Sequence, residues 1–219
     1  MDNLCIIPAR GGSKRIPRKN IKDFLGKPIL AYSIETALNT GLFDEVMVST
    51  DDEEIAEIAK KYGATVPFLR SAKNADDFAP LPDVINEVLD CYDKKYKYVC
   101  CILPTAPLLK SSTLTEGLEL LKNSEFDTIR PVVKFGFPIQ RAFMLTSDSA
   151  LQWFTPEHAK SRSQDLEEAY HDAGQFYWMK GEIGLRSDKK GAIVVDEVDV
   201  QDIDTMQDWK MAELKYKLA

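Results

Sequence analysis

The sequence is poor in the residues and patterns that announce several common chemistries. It has only two histidines, His158 and His171, so a histidine-built metal cluster is excluded. Its four cysteines (Cys5, Cys91, Cys100 and Cys101) form no C-x-x-C pair, and buried, reduced thiols of a cytosolic protein are the expectation. Cys100 and Cys101, adjacent on an expected strand, should point to opposite faces. No apolar run reaches the roughly 20 residues of a membrane span, and the N-terminus lacks a signal-peptide pattern, so the expected location is the cytoplasm. Repeats, low-complexity tracts and flexible linkers are absent. Positive charge is in deficit too: 28 Lys and Arg against 35 Asp and Glu leave a net charge of −7. That argues against nucleic acid or an anionic membrane as partner, since both select basic surfaces. With 44% hydrophobic and 29% charged residues over 219 positions, the chain can build a full core, and one domain spanning 1–219 is expected.

Against this acidic background one segment is densely basic. A short apolar run ends at Pro8, and Ala9-Arg10-Gly11-Gly12-Ser13-Lys14-Arg15-Ile16-Pro17-Arg18-Lys19-Asn20 follows, with five cations. Gly11 and Gly12 read as positions with φ > 0 that turn successive N–H groups toward an anion. Arg offers forked donors and Lys a point charge to the same group. A polyphosphate ligand fits this loop; the plainer alternative is a solvated basic turn. Two familiar nucleotide motifs do not fit. Gly26-Lys27 is followed by Pro28 where a Walker loop needs Ser or Thr, and Gly11-Gly12-Ser13 is not G-x-G-x-x-G.

Strand-like and helix-like segments alternate over the first 130 or so residues. Strands are expected at 4–7, 46–50, 65–69, 98–103 and 128–133. Pro28 opens a helix with Leu30, Ile34, Ala37 and Leu38 on one face and Gly41 near its end. Thr50-Asp51-Asp52-Glu53 reads as a capping box, opening a helix whose Ile55, Ile58, Ala59 and Tyr62 share a face and which Gly63 ends. A polar loop over 70–82 precedes a helix with Val84, Ile85, Val88, Leu89 and Tyr92 inward. Leu114, Leu118 and Leu121 mark another. This rhythm predicts βαβ units, with a mainly parallel sheet and helices on both faces. Ligands bind such sheets at the carboxyl ends of the strands, where the basic loop lies. Between 134 and 168 the periodicity fails and aromatics mix with charge; this reads as an inserted arm or hairpin, a candidate dimer contact or a simple surface excursion. Strands resume at 175–179 and 192–195, and a last helix from Thr205 carries Met206, Trp209, Ala212 and Tyr216 on one side.

Two further constellations carry chemistry. In Asp199-Val200-Gln201-Asp202-Ile203-Asp204-Thr205 an extended backbone puts Asp202 and Asp204 on one side, a pair suited to Mg²⁺ shared with substrate phosphates. The competing reading is that Asp204 or Thr205 caps the last helix. In Tyr170-His171-Asp172-Ala173-Gly174-Gln175-Phe176-Tyr177-Trp178, Gly174 allows close backbone approach. Gln175 and Tyr177 fall on one strand face, opposite Phe176 and Trp178, and their donors and acceptors suit sugar hydroxyls and amides. His171 reads as a structural or orienting residue.

Taken together, the segments resemble one family. The loop Ile7-Pro8-Ala9-Arg10-Gly11-Gly12-Ser13-Lys14, with Lys19-Asn20, then Ser49-Thr50-Asp51-Asp52, Leu103-Pro104-Thr105-Ala106-Pro107, Arg162-Ser163-Gln164-Asp165-Leu166 and Asp202-Ile203-Asp204, looks like the cytidylyltransferases that make CMP-activated sialic acids. The likeness runs nearly end to end, and Tyr170 to Tyr177 looks most like the branch acting on pseudaminic acid, a nine-carbon 2-keto sugar acid. The resemblance implies a Rossmann-like nucleotidyltransferase fold, a homodimer, CTP and a sugar acid as substrates, and Mg²⁺. It places Ala9, Arg10, Gly11, Gly12, Ser13, Lys14, Asn20 and Arg70 at the nucleotide, with Lys14 near the phosphates, and makes Lys14, Arg10, Asp202 and Asp204 the catalytic residues. It makes Asp202 and Asp204 the metal ligands. Gln175 and Tyr177 would face the sugar and Arg162 its carboxylate, from the same or a neighbouring subunit. Sialic acid synthetases usually have Asn where this chain has Ala173, and Gln-Pro-Thr-Ser where it has Leu103-Pro104-Thr105-Ala106, which points to a changed acceptor. The rival expectations are a relative acting on N-acetylneuraminate, legionaminate or another sugar acid, and a non-catalytic nucleotide-binding module.

Overall fold

Short apolar runs bounded by turn residues form the strands of one central sheet in a computed structural model that describes residues 2–76 and 79–218. Positions 77 and 78 of the expected polar loop, and both chain ends, lie outside the described residues. In chain order come β1 (Asn3–Pro8), a small ribbon of β2 (Asp23–Phe24) and β3 (Lys27–Pro28), α1 (Ile29–Thr40), β4 (Glu45–Ser49), α2 (Glu53–Lys61) and the single turn α3 (Ala72–Ala75). Then follow α4 (Leu81–Asp90), β5 (Tyr98–Ile102), α5 (Ser111–Lys122), β6 (Thr128–Lys134), the hairpin β7 (Phe143–Leu145) and β8 (Leu151–Trp153), β9 (Tyr170–Asp172), β10 (Phe176–Lys180), β11 (Lys190–Val194) and α6 (Met206–Leu218).

The sheet order is β11-β6-β10-β5-β1-β4, with β9 pairing β6 as well. β4, β1 and β5 are parallel, as are β6 and β11, while β10 runs antiparallel between β5 and β6 and β9 antiparallel beside β6. The sheet is therefore mixed, though mostly parallel in direction. The reversal has a functional consequence: it brings the start of β10 to the edge where β1, β4 and β5 end.

Helices cover both faces. Leu30 and Ile34 of α1, Ile55 of α2 and Leu114, Leu118 and Leu121 of α5 pack with Cys5, Cys100, Phe176 and Trp178 on one side. Ile85 and Val88 of α4 pack with Leu4, Ile6, Cys101 and Met179 on the other. Cys100 and Cys101 thus face opposite layers, both fully buried, and burial raises both thiol pKa values. A third cluster joins Ile16, Phe24, Ile29 and Tyr32 to Ile203, Trp209 and Ala212, seating α6 beside the basic loop. Among the described residues no helix is long and apolar enough to cross a membrane.

Several local expectations need correction. Residues 65–69 make no strand; Thr65 forms one bridge to Met47, and Pro67 then lacks the N–H a ladder requires. The N-cap of α2 is Asp52, whose carboxylate takes the N–H of Ile55 at 3.0 Å, while the Thr50 hydroxyl instead accepts from Asp52 N–H. Leu38 and Met206 are exposed rather than inward, while Tyr216, partly exposed, packs its ring edge-on against Phe24 and Tyr32 as its place on the inner side of the last helix requires. Gly41 and Gly63 end α1 and α2 with φ of 62° and 96°, as left-handed C-caps do.

Candidate active site

The loops after β1, β4 and β5 converge because β1 lies between β4 and β5, so its outgoing loop meets both neighbours' loops at a topological switch point. They enclose a cleft of about 340 Å³ lined by Arg10, Ser13, Lys14, Arg15, Lys19 and Asn20 from the first loop, Arg70 and Asn74 from the second, Leu103-Pro104-Thr105 from the third, and Asp202.

The basic loop is held in shape before any ligand binds. Asn20 is buried, and its amide donates to Arg10 O at 2.9 Å. Ser13 N–H turns back to Gly11 O at 3.0 Å. Gly11 N–H donates to Asp51 Oδ1 at 3.0 Å, so this N–H is spent on the fold rather than aimed at an anion. Neither Gly11 nor Gly12 has positive φ, contrary to the reading from sequence; the left-handed residue of the loop is Arg18, at φ 56°. What Gly11 supplies is room, since a Cβ there would lie 2.8 Å from Asp52 Oδ2. Ala9 is fully buried, donating its N–H to Ser49 O at 2.9 Å, and so anchors the loop to β4.

The five cations divide their work. Arg18 ties the loop to α2, gripping Asp52 and reaching Glu54 at 2.5 Å; this pairing draws the Asp52 carboxyl pKa down. Arg15 pairs with Asp204 at 2.7 Å. Lys19 donates to Ile203 O at 2.6 Å with Asp204 Oδ1 3.8 Å away. Burial lowers its pKa, opposed by the charges of Asp204 and Asp202. Arg10 reaches Asp76 O at 2.8 Å from the cleft wall, and Lys14 lines the cleft beside it. Lys19 and Arg15 had no role assigned from sequence alone. The signal was there, in a basic loop facing a distant acidic pair, but only the fold shows which cations meet which carboxylates.

Arg70 is 8% exposed, with its guanidinium donating to Ser49 Oγ at 3.0 Å and Ser49 O at 2.5 Å, and burial lowers its pKa. The next turn is knotted to α4 by Glu87, which accepts from Ser71 N–H at 2.6 Å, Ser71 Oγ at 2.9 Å and the Asn74 amide.

The acidic pair occupies an extended stretch around Ile203, which is fully buried in the third cluster while Asp202 and Asp204 flank it. The capping alternative is resolved. Thr205 Oγ1 accepts from Asp208 N–H at 3.3 Å, and Asp208 Oδ2 accepts from Thr205 N–H at 2.7 Å and Asp204 N–H at 3.1 Å. Thr205 and Asp208 thus form the cap, and the Asp204 carboxylate takes no part in it. The Asp202 carboxyl pKa is raised, first by desolvation and second by the Asp204 charge. Two hard oxygen donors that repel each other fit a divalent cation sharing its other positions with phosphate oxygens and water. Among the described residues no group of three or more His, Cys, Asp or Glu side chains converges.

The sugar-side residues are less gathered. Gln175 is 4% exposed, its amide donating to Asp199 O at 2.8 Å, so it braces the segment leading to Asp202. Tyr177 is half-buried and its hydroxyl donates to Asp172 Oδ1 at 3.2 Å. His171 is exposed, its ring 4.9 Å from that of Phe135. Gly174 has φ 63°, so its conformation requires glycine. Arg162 lies on the arm, outside the cleft, in a bidentate pair with Asp165 at 2.7 and 3.1 Å. The arm itself exposes Phe137, Phe143, Leu145, Leu151 and Phe154.

The chain is 48% identical to a pseudaminic acid cytidylyltransferase of Campylobacter jejuni, over 100% of this chain and 97% of that one. It is 32% identical to a CMP-N,N'-diacetyllegionaminic acid synthase of Legionella pneumophila, covering 96% and 94%. Among solved structures, a CMP:2-keto-3-deoxy-manno-octonic acid synthetase complexed with CTP superposes with a TM-score of 0.74 at 15% identity, covering 100% of this chain and 99% of that one. That likeness establishes a nucleotidyltransferase-type fold. Residues 4–202 match the family described as cytidylyltransferase, and with this match and the full-length identity the chain belongs to the cytidylyltransferase family of enzymes.

Proposed function

We propose that this enzyme transfers CMP from CTP to the anomeric hydroxyl of pseudaminic acid, releasing pyrophosphate. The observation that carries the reading is the cleft in which Arg10 and Lys14 on one loop face the Asp202 carboxylate. The hydroxyl oxygen attacks the α-phosphorus as its proton passes to water, the bond from the α-phosphorus to the bridging oxygen breaks, and that oxygen leaves with pyrophosphate. Such a transfer needs alignment and charge neutralisation more than covalent help. Arg10, Ser13 and Lys14 bind the triphosphate, Lys19 links the loop to the acidic segment through Ile203 O, and Arg70 and Asn74 border the nucleoside. Asp202 and Asp204 would hold Mg²⁺, which supplies positive charge to phosphate oxygens as negative charge builds on the leaving group. The full-length similarity to the C. jejuni enzyme supports pseudaminic acid over other acceptors. The chain acts in the cytoplasm as one catalytic unit, and its arm, with exposed Phe143, Leu145 and Leu151, meets a second copy in a homodimer. From there Arg162 would reach the partner's sugar carboxylate.

Pyrophosphate release from CTP, measured across pseudaminic acid, legionaminic acid, N-acetylneuraminate and an eight-carbon 2-keto acid, is expected to be fastest with pseudaminic acid. A preference for another acid replaces the acceptor. Tight CTP binding with no turnover on any acid means a nucleotide-binding module. Glu87→Gln loosens the turn that carries Asn74, so KM for CTP should rise about tenfold with kcat nearly unchanged. An unchanged KM for CTP detaches that turn from the nucleotide.

A further inference from the structure

One carboxylate on the acceptor side ties together parts of three elements and has no part in the steps above. Asp172, the last residue of β9, accepts from Gly174 N–H at 2.8 Å, from the Tyr177 hydroxyl at 3.2 Å on β10, and from the Arg130 guanidinium at 3.1 Å on β6. Arg130 also lies over the Tyr177 ring, 5.0 Å from its centroid, and its Nε is buried without a hydrogen-bond partner. The turn that Asp172 closes holds Gly174 at φ 63°, and a Cβ built on Gly174 would stand 3.8 Å from Asp202 Cγ. The same carboxylate therefore sets the conformation of the β9–β10 turn, which way the Tyr177 hydroxyl points, and where a cation sits on that wall.

We infer that Asp172 is a positioning residue for the sugar acid, an inference that rests on the reaction proposed above. It holds the β9–β10 turn and the Tyr177 hydroxyl in the arrangement that receives the acceptor. It also keeps the Arg130 guanidinium on the Tyr177 ring, where its charge attracts the acceptor's carboxylate. Asparagine at this position keeps one carbonyl oxygen but loses the charge that pairs Arg130, and turns an N–H donor toward donors. The acceptor side is then no longer preorganised, while the nucleotide side, built on β1, β4 and β5, is untouched.

Steady-state pyrophosphate release, with CTP and the sugar acid varied in turn, tests this on Asp172→Asn and on Asp172→Glu, which restores the charge. Asp172→Asn is expected to raise KM for the sugar acid about ten- to a hundredfold, with KM for CTP within about twofold of the parent. Asp172→Glu should recover part of that loss. An unchanged KM for the sugar acid, or both KM values rising together, overturns the inference. Should Asp172→Asn fail to fold, Arg130→Gln removes the guanidinium from the same carboxylate and must show the same split. If the parent turns over a different sugar acid, the acceptor assignment fails and the variants are judged on that acid. A parent inactive on every acid overturns both readings.

Discussion

Asp204→Ala should lower turnover by at least about a hundredfold while leaving the chain folded. Asp204 is 39% exposed in its side chain, and its carboxylate pairs with Arg15, 67% exposed, and lies near Lys19. An exposed ion pair of this kind contributes about 1 kcal/mol or less, and the α6 cap belongs to Thr205 and Asp208. Asp202→Asn should be equally inactive, yet no less stable than the parent at neutral pH. The Asp202 carboxyl pKa is raised in the folded state, so the fold holds this proton more tightly than the unfolded chain does. Its contribution to stability is present below the unfolded pKa and is lost as pH rises through the folded value. An asparagine cannot ionise and escapes that loss. Thermal melts from pH 4 to 8 should show a smaller decline for Asp202→Asn across the pH range just above the ordinary carboxylate pKa. Added Mg²⁺ should raise Tm for the parent and not for Asp204→Ala. An Asp204→Ala enzyme that remains active and metal-dependent removes Asp204 from the ligand set.

The largest effect on stability is expected from Trp178→Ala. Trp178 is fully buried, stacked on Phe43 with centroids 5.2 Å apart, and its indole N–H donates to Leu114 O at 3.0 Å. Gly117 of α5 approaches so closely that a Cβ there would be 2.9 Å from Trp178 Cδ1. Helix and strand are keyed together at this point, and the surroundings cannot collapse into the space an alanine leaves. Truncating such a side chain costs about 3–5 kcal/mol, a large share of the roughly 5–15 kcal/mol that keeps a domain folded. Urea unfolding should show the loss as a lower midpoint with an unchanged slope. A midpoint matching the parent would mean that β10 is held by its backbone ladder alone. Because β10 also carries Tyr177, acceptor KM should suffer in the variant at temperatures where it is still folded.

Much of this was legible in the chain. Hydrophobic periodicity located α1, α2, α4 and α5, because each buries one stripe against a sheet, and the continuous apolar runs of β1 and β5 announced strands covered on both sides. Composition and the cation-rich loop pointed to a small polyphosphate ligand, and the order of motifs pointed to the family. These are local properties: spacing, charge and backbone preference are set within a few residues and survive in the sequence as pattern.

Contacts between distant segments left no such trace. Gly11 reads as a turn glycine, yet it is needed for space against Asp52, forty-one positions further on. Gln175 reads as a sugar ligand, yet its amide is committed to Asp199 O. Whether Asp204 or Thr205 caps the last helix depends on which side chain takes the Asp208 N–H, and Thr205 Oγ1 takes it. The antiparallel course of β10, which brings Gly174 to Asp202, comes from strand pairing that no local pattern encodes. Local pattern in the chain thus carried the alternating elements and the family. The tertiary structure alone decided which cation meets which carboxylate, since burial and hydrogen-bond competition are settled only when segments far apart in the chain are packed together.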